Sequence, residues 1–459
     1  MARAFRSAEA ARDAAREFGM EVVRPAGIEL DRLRDPADVI ARESVLWRVF
    51  RAFREEGFHR CMLPKAFGGI AEKLPPMAWH LMSEQLGYAD AGLAISLAAQ
   101  SMPFALCVLS PDREVRNWAR AYAHDLDAEM IGCWAITEPD HGSDWVLGST
   151  EAGADARWAP SLRAAKVGDE YVLNGQKSAW VSNGTIGTHA VLHVGLDASR
   201  GMHGAGLAFC PLDLPGISKG KPLDKVGQRP LNQGEIFFSD VQLPGKYMMI
   251  GTPGLTAIGP FARRFLGAAN NETGIIMAGL ARAAFDEALA YARDGARGGR
   301  PLLEEQRIRI KLFEMFTQVE SASALAHRAG RHFDDAGRRR FVARMLASRL
   351  GYAVAGKSIR FFVDHYERLS RIERVRSFID RATQSERAKA TARLDLLGIA
   401  SKIACTETSF QVASDAMQIL AEDGLSPEYP IEKMFRDARA SMIEDGTNET
   451  LALAGAGGL

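Results

Sequence analysis

The strongest constraint on this chain is a change of hydrophobic period, made twice. Over residues 8–23, 45–56 and 77–109 apolar residues recur at helical spacing. From about residue 130 to 250 they come in short runs, among them "MIGCWAITE", "EYVLNGQKSAWVSNG", "HAVLHVGL", "GLAFCPL" and "GEIFFSDVQL", broken by Gly, Asn and Pro. From about residue 255 the helical period returns, clearest over residues 274–292 and 302–331. A β unit framed by two helical regions is an uncommon order and leaves few folds. The pattern predicts an α+β multidomain chain: a helical N-terminal domain over 1–128, a β-sandwich or barrel middle domain over 129–252, and a helical C-terminal domain over 253–459.

Composition narrows the function. Lys+Arg and Asp+Glu both count 57, so the net charge is zero, which argues against nucleic-acid binding as the main task. No apolar run reaches the roughly 18 residues of a membrane span. The first nineteen residues are basic and Ala-rich, but Glu9, Asp13 and Glu17 interrupt them, so they read as an amphipathic helix of the folded protein. The five cysteines are scattered with apolar flanks, which predicts buried free thiols in a reducing, cytoplasmic setting and no metal site.

Two stretches carry chemistry. "CWAITEPDHGSDW" (Cys133 to Trp145) leaves a strand for a loop in which Gly142 lets the backbone bend. "SAWVSNG" (Ser178 to Gly184) puts Trp180 two residues before Ser182, on one face if both lie on a strand. A flat ring beside a hydroxyl suits a planar heteroaromatic ligand. Near the C-terminus, "SMIEDGTNETLAL" sets Glu444 and Asp445 side by side before Gly446, and neighbours do not share a face.

Together these stretches resemble the acyl-CoA dehydrogenase family. "TEPDHGSD", "LNGQKSAWVSNG", "GEIFFSDVQLPG" and "QILAEDGLSPEYPIEKMFRDARASMIEDGT" are similar to its signatures, and "EFGMEVVRPAGIELD" and "LPKAFGGI" to its N-terminal helices, in the same order over nearly the whole chain. The resemblance implies a C-terminal four-helix-bundle domain and FAD between the middle and C-terminal domains. It implies α,β-dehydrogenation of an acyl thioester, carried on CoA or a carrier protein. An electron-transfer flavoprotein or other acceptor would reoxidise the cofactor, and the chain would form a homodimer or homotetramer. Carried over by position, Trp134, Ile136, Thr137, Gly142, Ser143, Trp180 and Ser182 are expected about the flavin. Arg297, Gln306, Gln418, Thr447 and Glu449 are expected along the rest of FAD, and Ser143, Asn270 and Gly446 at the substrate. The physics agrees: a thioester α-proton is weakly acidic, so a desolvated carboxylate base must act with donors to the carbonyl oxygen.

The chain also departs from the family. Its base is Glu before Gly-Thr; here register assigns that position to Asp445, roughly 1.5 Å shorter in reach. Glu444 is one rival. Glu272 is another, because some relatives carry the base on an earlier helix, at the position of Ala269 here. Asn270 stands where the family has Arg. In "GARGG" the family's Arg and Phe are missing, so Arg297 or Arg300 would substitute, and Glu422 stands where a glycine normally approaches FAD. The stretch between Gln306 and Gln418 is longer than the family's, through an Arg-rich extension near 332–390 that suits longer helices, an altered oligomer or an acidic carrier protein. Two other readings remain at this stage: a flavin monooxygenase of the same fold, and a non-catalytic acyl-thioester-binding relative.

Overall fold

The computed structural model describes residues 5–110, 112–148, 151–250, 259–354 and 386–457. The chain opens with helices α1 (Ala8–Phe18), α2 (Arg24–Asp31), α3 (Pro36–Val39), α4 (Val45–Glu55), α5 (Ala78–Ala89), α6 (Ala91–Cys107) and α7 (Arg113–His124). Their starts are written in the sequence. Ser7, Asp35, Ser44, Asp90 and Asp112 each accept a backbone N–H of the first turn.

Strands β1 (Gly132–Ala135), β2 (Arg163–Val167), β3 (Glu170–Lys177), β4 (His189–Gly195), β5 (Ala205–Pro211), β6 (Ile217–Lys219), β7 (Ile236–Pro244) and β8 (Met248–Ile250) form one eight-stranded sheet. Its path is β6-β7-β3-β2-β4-β5-β8, mostly antiparallel as the run lengths predict. β1 is an exception: it lies parallel to β4, with Gly132 opposite His189. That parallel seat aims the chain leaving Ala135 along the sheet edge and into the "TEPDHGSD" loop.

The second helical region comprises α8 (Gly259–Asp294), α9 (Gln306–Val354), α10 (Glu386–Leu420), α11 (Ile431–Ser441) and α12 (Asn448–Ala456). The Arg-rich extension falls between and within α9 and α10, and its residues 355–385 lie outside the described residues. No helix among the described residues is long and apolar enough to cross a membrane.

Two cores hold the molecule. One joins Phe50, Met82 and Leu86 of the first helical region to Ile275, Ala281, Val412 and Ile431 of the second. The other packs Leu173, Val191, Phe209 and Val241 of the sheet against Phe104 and Tyr122. Helix α6 belongs to both, through Leu97 in the first and Phe104 in the second. α8 packs mainly on α10 and α5. Its contact with α5 is glycine-mediated: a Cβ on Gly87 would strike the Ile276 carbonyl, and one on Gly279 the Glu84 carbonyl. Backbones that approach this closely fix the rotation of α8, and with it which residues face the site.

Candidate active site

The loop after β1 is anchored by a buried ion pair. Glu138 receives Lys177 Nζ at 2.6 Å and the N–H groups of Ser161 at 2.5 Å and Leu162 at 3.1 Å. A buried carboxylate needs such partners. With Glu138 fixed, Gly142 turns the chain and Ser143 opens a short helical turn, Ser143–Leu147. Ser143 Oγ accepts the N–H of Thr447 at 2.9 Å, joining the sheet domain to the C-terminal turn. Glu138, Asp140 and His141 stand within metal-ligand distance of one another, but Lys177 and Ser161 already engage both acids.

The C-terminal turn connects α11 to α12. Asp445 (φ 50°) and Gly446 (φ 103°) are successive left-handed residues. Glycine takes that conformation freely, whereas aspartate does so at some cost. Gly446 also has no room for a side chain, because a Cβ there would press on Val146 at 2.6 Å. The turn sends the two acids apart. Glu444 is half-buried and accepts Gln228 Nε2 at 3.0 Å. Asp445 is exposed, and its Oδ2 accepts the Thr273 hydroxyl of α8 at 2.6 Å. Burial, reinforced by the Asp445 charge, pushes the Glu444 carboxyl up to about 7. Beneath the turn lies the buried Lys402 of α10. Its ammonium holds the Gly446 carbonyl at 2.9 Å and Asn448 Oδ1 at 2.8 Å. Burial lowers it to about 8, against the pull of Asp445 and Glu444.

The other predicted residues fall at varied distances from this centre. Glu272, next to Thr273, is half-buried and points the other way, toward α5. It accepts Trp79 Nε1 at 2.9 Å and Ser83 Oγ at 2.5 Å, and burial pushes it up to about 7. Asn270 is 1% exposed, with Nδ2 donated to the Leu266 carbonyl at 2.8 Å and Oδ1 unbonded. It is therefore not open to substrate in this conformation. Gln306 and Gln418 are exposed, at the start of α9 and near the end of α10, and Glu449 is exposed on the first turn of α12. The Arg297 side chain lies outside the described residues.

One expectation about Trp180 needs correction. β3 ends at Lys177, and Trp180 lies in a turn rather than on a strand with Ser182. The strand stops because Lys177 must turn inward to Glu138 and Asn183 takes a left-handed φ of 60°. The turn leaves Trp180 57% exposed, and Ser182 half-buried with its Oγ accepting Gln233 Nε2 at 3.3 Å.

These features fit a flavin nucleotide. An exposed indole offers a stacking surface, and the Ser182 hydroxyl is only loosely engaged. Sequence reasoning missed Thr273, Gln228 and Lys402, which set the two acids. A hydroxyl three residues after Asn270, on the same helix face, was a weak signal for Thr273.

The chain matches, domain by domain, the descriptions "Acyl-CoA dehydrogenase, N-terminal domain" over residues 6–110, "middle domain" over 133–241 and "C-terminal domain" over 261–361 and 365–458. Among named relatives, the mitochondrial short-chain specific acyl-CoA dehydrogenase of Bos taurus is 26% identical over 454 residues, 98% of this chain and 89% of that protein. The fold is similar to that of butyryl-CoA dehydrogenase from Megasphaera elsdenii, with a TM-score of 0.73, 22% identity and 97% and 96% of the two chains covered. It is also similar to the prolyl acyl carrier protein oxidase AnaB, with a TM-score of 0.71, 20% identity and 97% of each chain covered.

Proposed function

The chain belongs to the acyl-CoA dehydrogenase family, a family of FAD-dependent oxidoreductases, and from that premise we propose that it dehydrogenates an acyl thioester between Cα and Cβ with Asp445 as the base. The observation that carries this reading is the separation of the two acids. Asp445 is exposed and oriented by the Thr273 hydroxyl, while Glu444 is turned toward Gln228.

Asp445 takes the α-proton, leaving enolate charge on the thioester oxygen. The backbone N–H of Asp445 would donate to that charge, and Gly446 would allow the substrate to come close to the backbone. Close approach compensates for the shorter side chain of aspartate. Lys402, bound to the Gly446 carbonyl, keeps the turn from shifting as charge develops. Thr137, Ser143, Trp180 and Ser182 would hold the flavin half of FAD, and Thr447 would lie at its pyrophosphate. Gln306 and Gln418, exposed on this chain, would reach the cofactor of a second copy in a homodimer or homotetramer. Bound FAD supplies the acceptor for the hydride that leaves the β carbon. The thioester is carried on CoA or a carrier protein; the likeness to a carrier-protein oxidase supports keeping both. An electron-transfer flavoprotein or other acceptor would complete the cycle.

Anaerobic mixing of flavin-loaded protein with a panel of acyl thioesters tests the reading through bleaching of the flavin absorbance. Asp445→Asn should abolish bleaching and Glu444→Gln should retain it. The reverse pattern would assign the base to Glu444.

A further inference from the structure

Helix α8 is closed over most of its length after Thr273, but it presents a short accessible strip at Ala268, Ala269 and Glu272. Ala269 lies between Glu272 and Thr273 around the helix, so the strip borders the side on which Thr273 meets Asp445. Glu272 stands at its edge, oriented by two donors from α5, Trp79 Nε1 and Ser83 Oγ.

Two neutral donors orient a carboxylate but do not neutralise it. Among the described residues no lysine, arginine or histidine is bonded to Glu272. Other acids differ: Glu138 has Lys177, Asp90 and Asp437 share Lys433, and Glu444, half-buried like Glu272, lies in the field of Lys225 and Lys402. A half-buried carboxylate without a counter-ion costs stability, and burial has already raised this one to about 7. Held in place beside an open strip, it is a site for a cation that the protein itself does not provide.

We propose that Glu272 is a specificity-determining residue that receives a positively charged nitrogen on the acyl group of the substrate. The inference rests on the thioester reading above and extends it: the substrate class is cationic acyl thioesters rather than plain hydrocarbon chains. Asp445 and Glu272 then divide the work, one acting on the α-proton and the other fixing the far end of the acyl group. Fixing both ends favours the reactive geometry.

The test uses flavin-loaded protein with two CoA thioesters of equal chain length, one ending in a trimethylammonium group and one in its neutral tert-butyl isostere. Equilibrium titration gives the two dissociation constants. Wild type should bind the cationic thioester about tenfold or more tightly than the neutral one, the scale of a charge-assisted contact. Glu272→Gln should erase that preference, binding both thioesters with the wild-type affinity for the neutral one, and Glu272→Asp should keep part of it. Equal binding of the pair by wild type, or an unchanged preference in Glu272→Gln, overturns the proposal. A preference that depends on Glu272 without bleaching by either thioester would instead overturn the dehydrogenation reading and leave the binding role standing. Should Glu272→Gln lose its flavin, Glu272→Asp decides: a reduced preference supports the assignment and a preference equal to that of wild type overturns it.

Discussion

At the scale of single residues, the site depends on what orients each acid. Thr273→Val removes the hydroxyl that holds Asp445 and keeps the volume. A hydrogen bond to a charged group is worth about 1.5–3 kcal/mol, so the rate of flavin bleaching should fall by about tenfold or more with little change in melting temperature. The two raised carboxyls make a second prediction. Each binds its proton more tightly folded than unfolded, so their contribution to stability is present below 4.5 and is lost as pH rises toward about 7. Melting temperatures measured across that window should therefore decline less for Glu444→Gln and Glu272→Gln than for wild type. A decline equal to that of the wild type would mean that neither group titrates there. Register alone groups Asp445, Gly446 and Thr447 at the candidate site, because the turn is built from consecutive residues. The partners were not readable in the same way. Thr273, Gln228 and Lys402 meet the turn across long stretches of sequence, and a lone Thr or Lys on a helix carries no mark of what it will face.

Among the elements, α8 is the one on which the geometry turns. It carries Thr273 toward Asp445 and Glu272 toward α5, and its rotation is set by glycine contacts with α5. Gly279→Ala would drive a methyl into the Glu84 carbonyl. The expected cost is about 1–3 kcal/mol, seen as a lower urea midpoint. Loss of bleaching should be larger than that destabilisation alone explains, since a rotated α8 misplaces Thr273. The sheet shows where a local signal stops being informative. The Asn-Gly of "VLNG" is a tight-turn signal, yet β3 runs on through Asn174 and Gly175 with a register shift against β7 and ends at Lys177, whose buried ammonium pairs with Glu138. The same ion pair fixes the loop that carries Ser143.

Over the whole molecule, the order helices, sheet, helices was visible in the periods, but the way the helical regions combine was not. They share one core, sealed by a charge network around Lys433, which meets Asp90 of the first region at 2.6 Å and Asp437 at 2.5 Å. Nearby, Arg436 reaches Asp31 at 2.6 Å. Lys433→Ala strands two buried acids and should cost about 3–5 kcal/mol. The loss should appear in one cooperative unfolding transition, because neither helical region has a separate core. Two resolved transitions would contradict the shared core.

The bond from Thr447 to Ser143 spans 304 residues. Synthesis proceeds from the N-terminus, so Ser143 leaves the ribosome long before its partner exists. The sheet has a core of its own and can form before that wall of the site exists, whereas the early helices share their core with helices made after it. A stop codon just before residue 445 would therefore give a chain that keeps the sheet and lacks the proposed base.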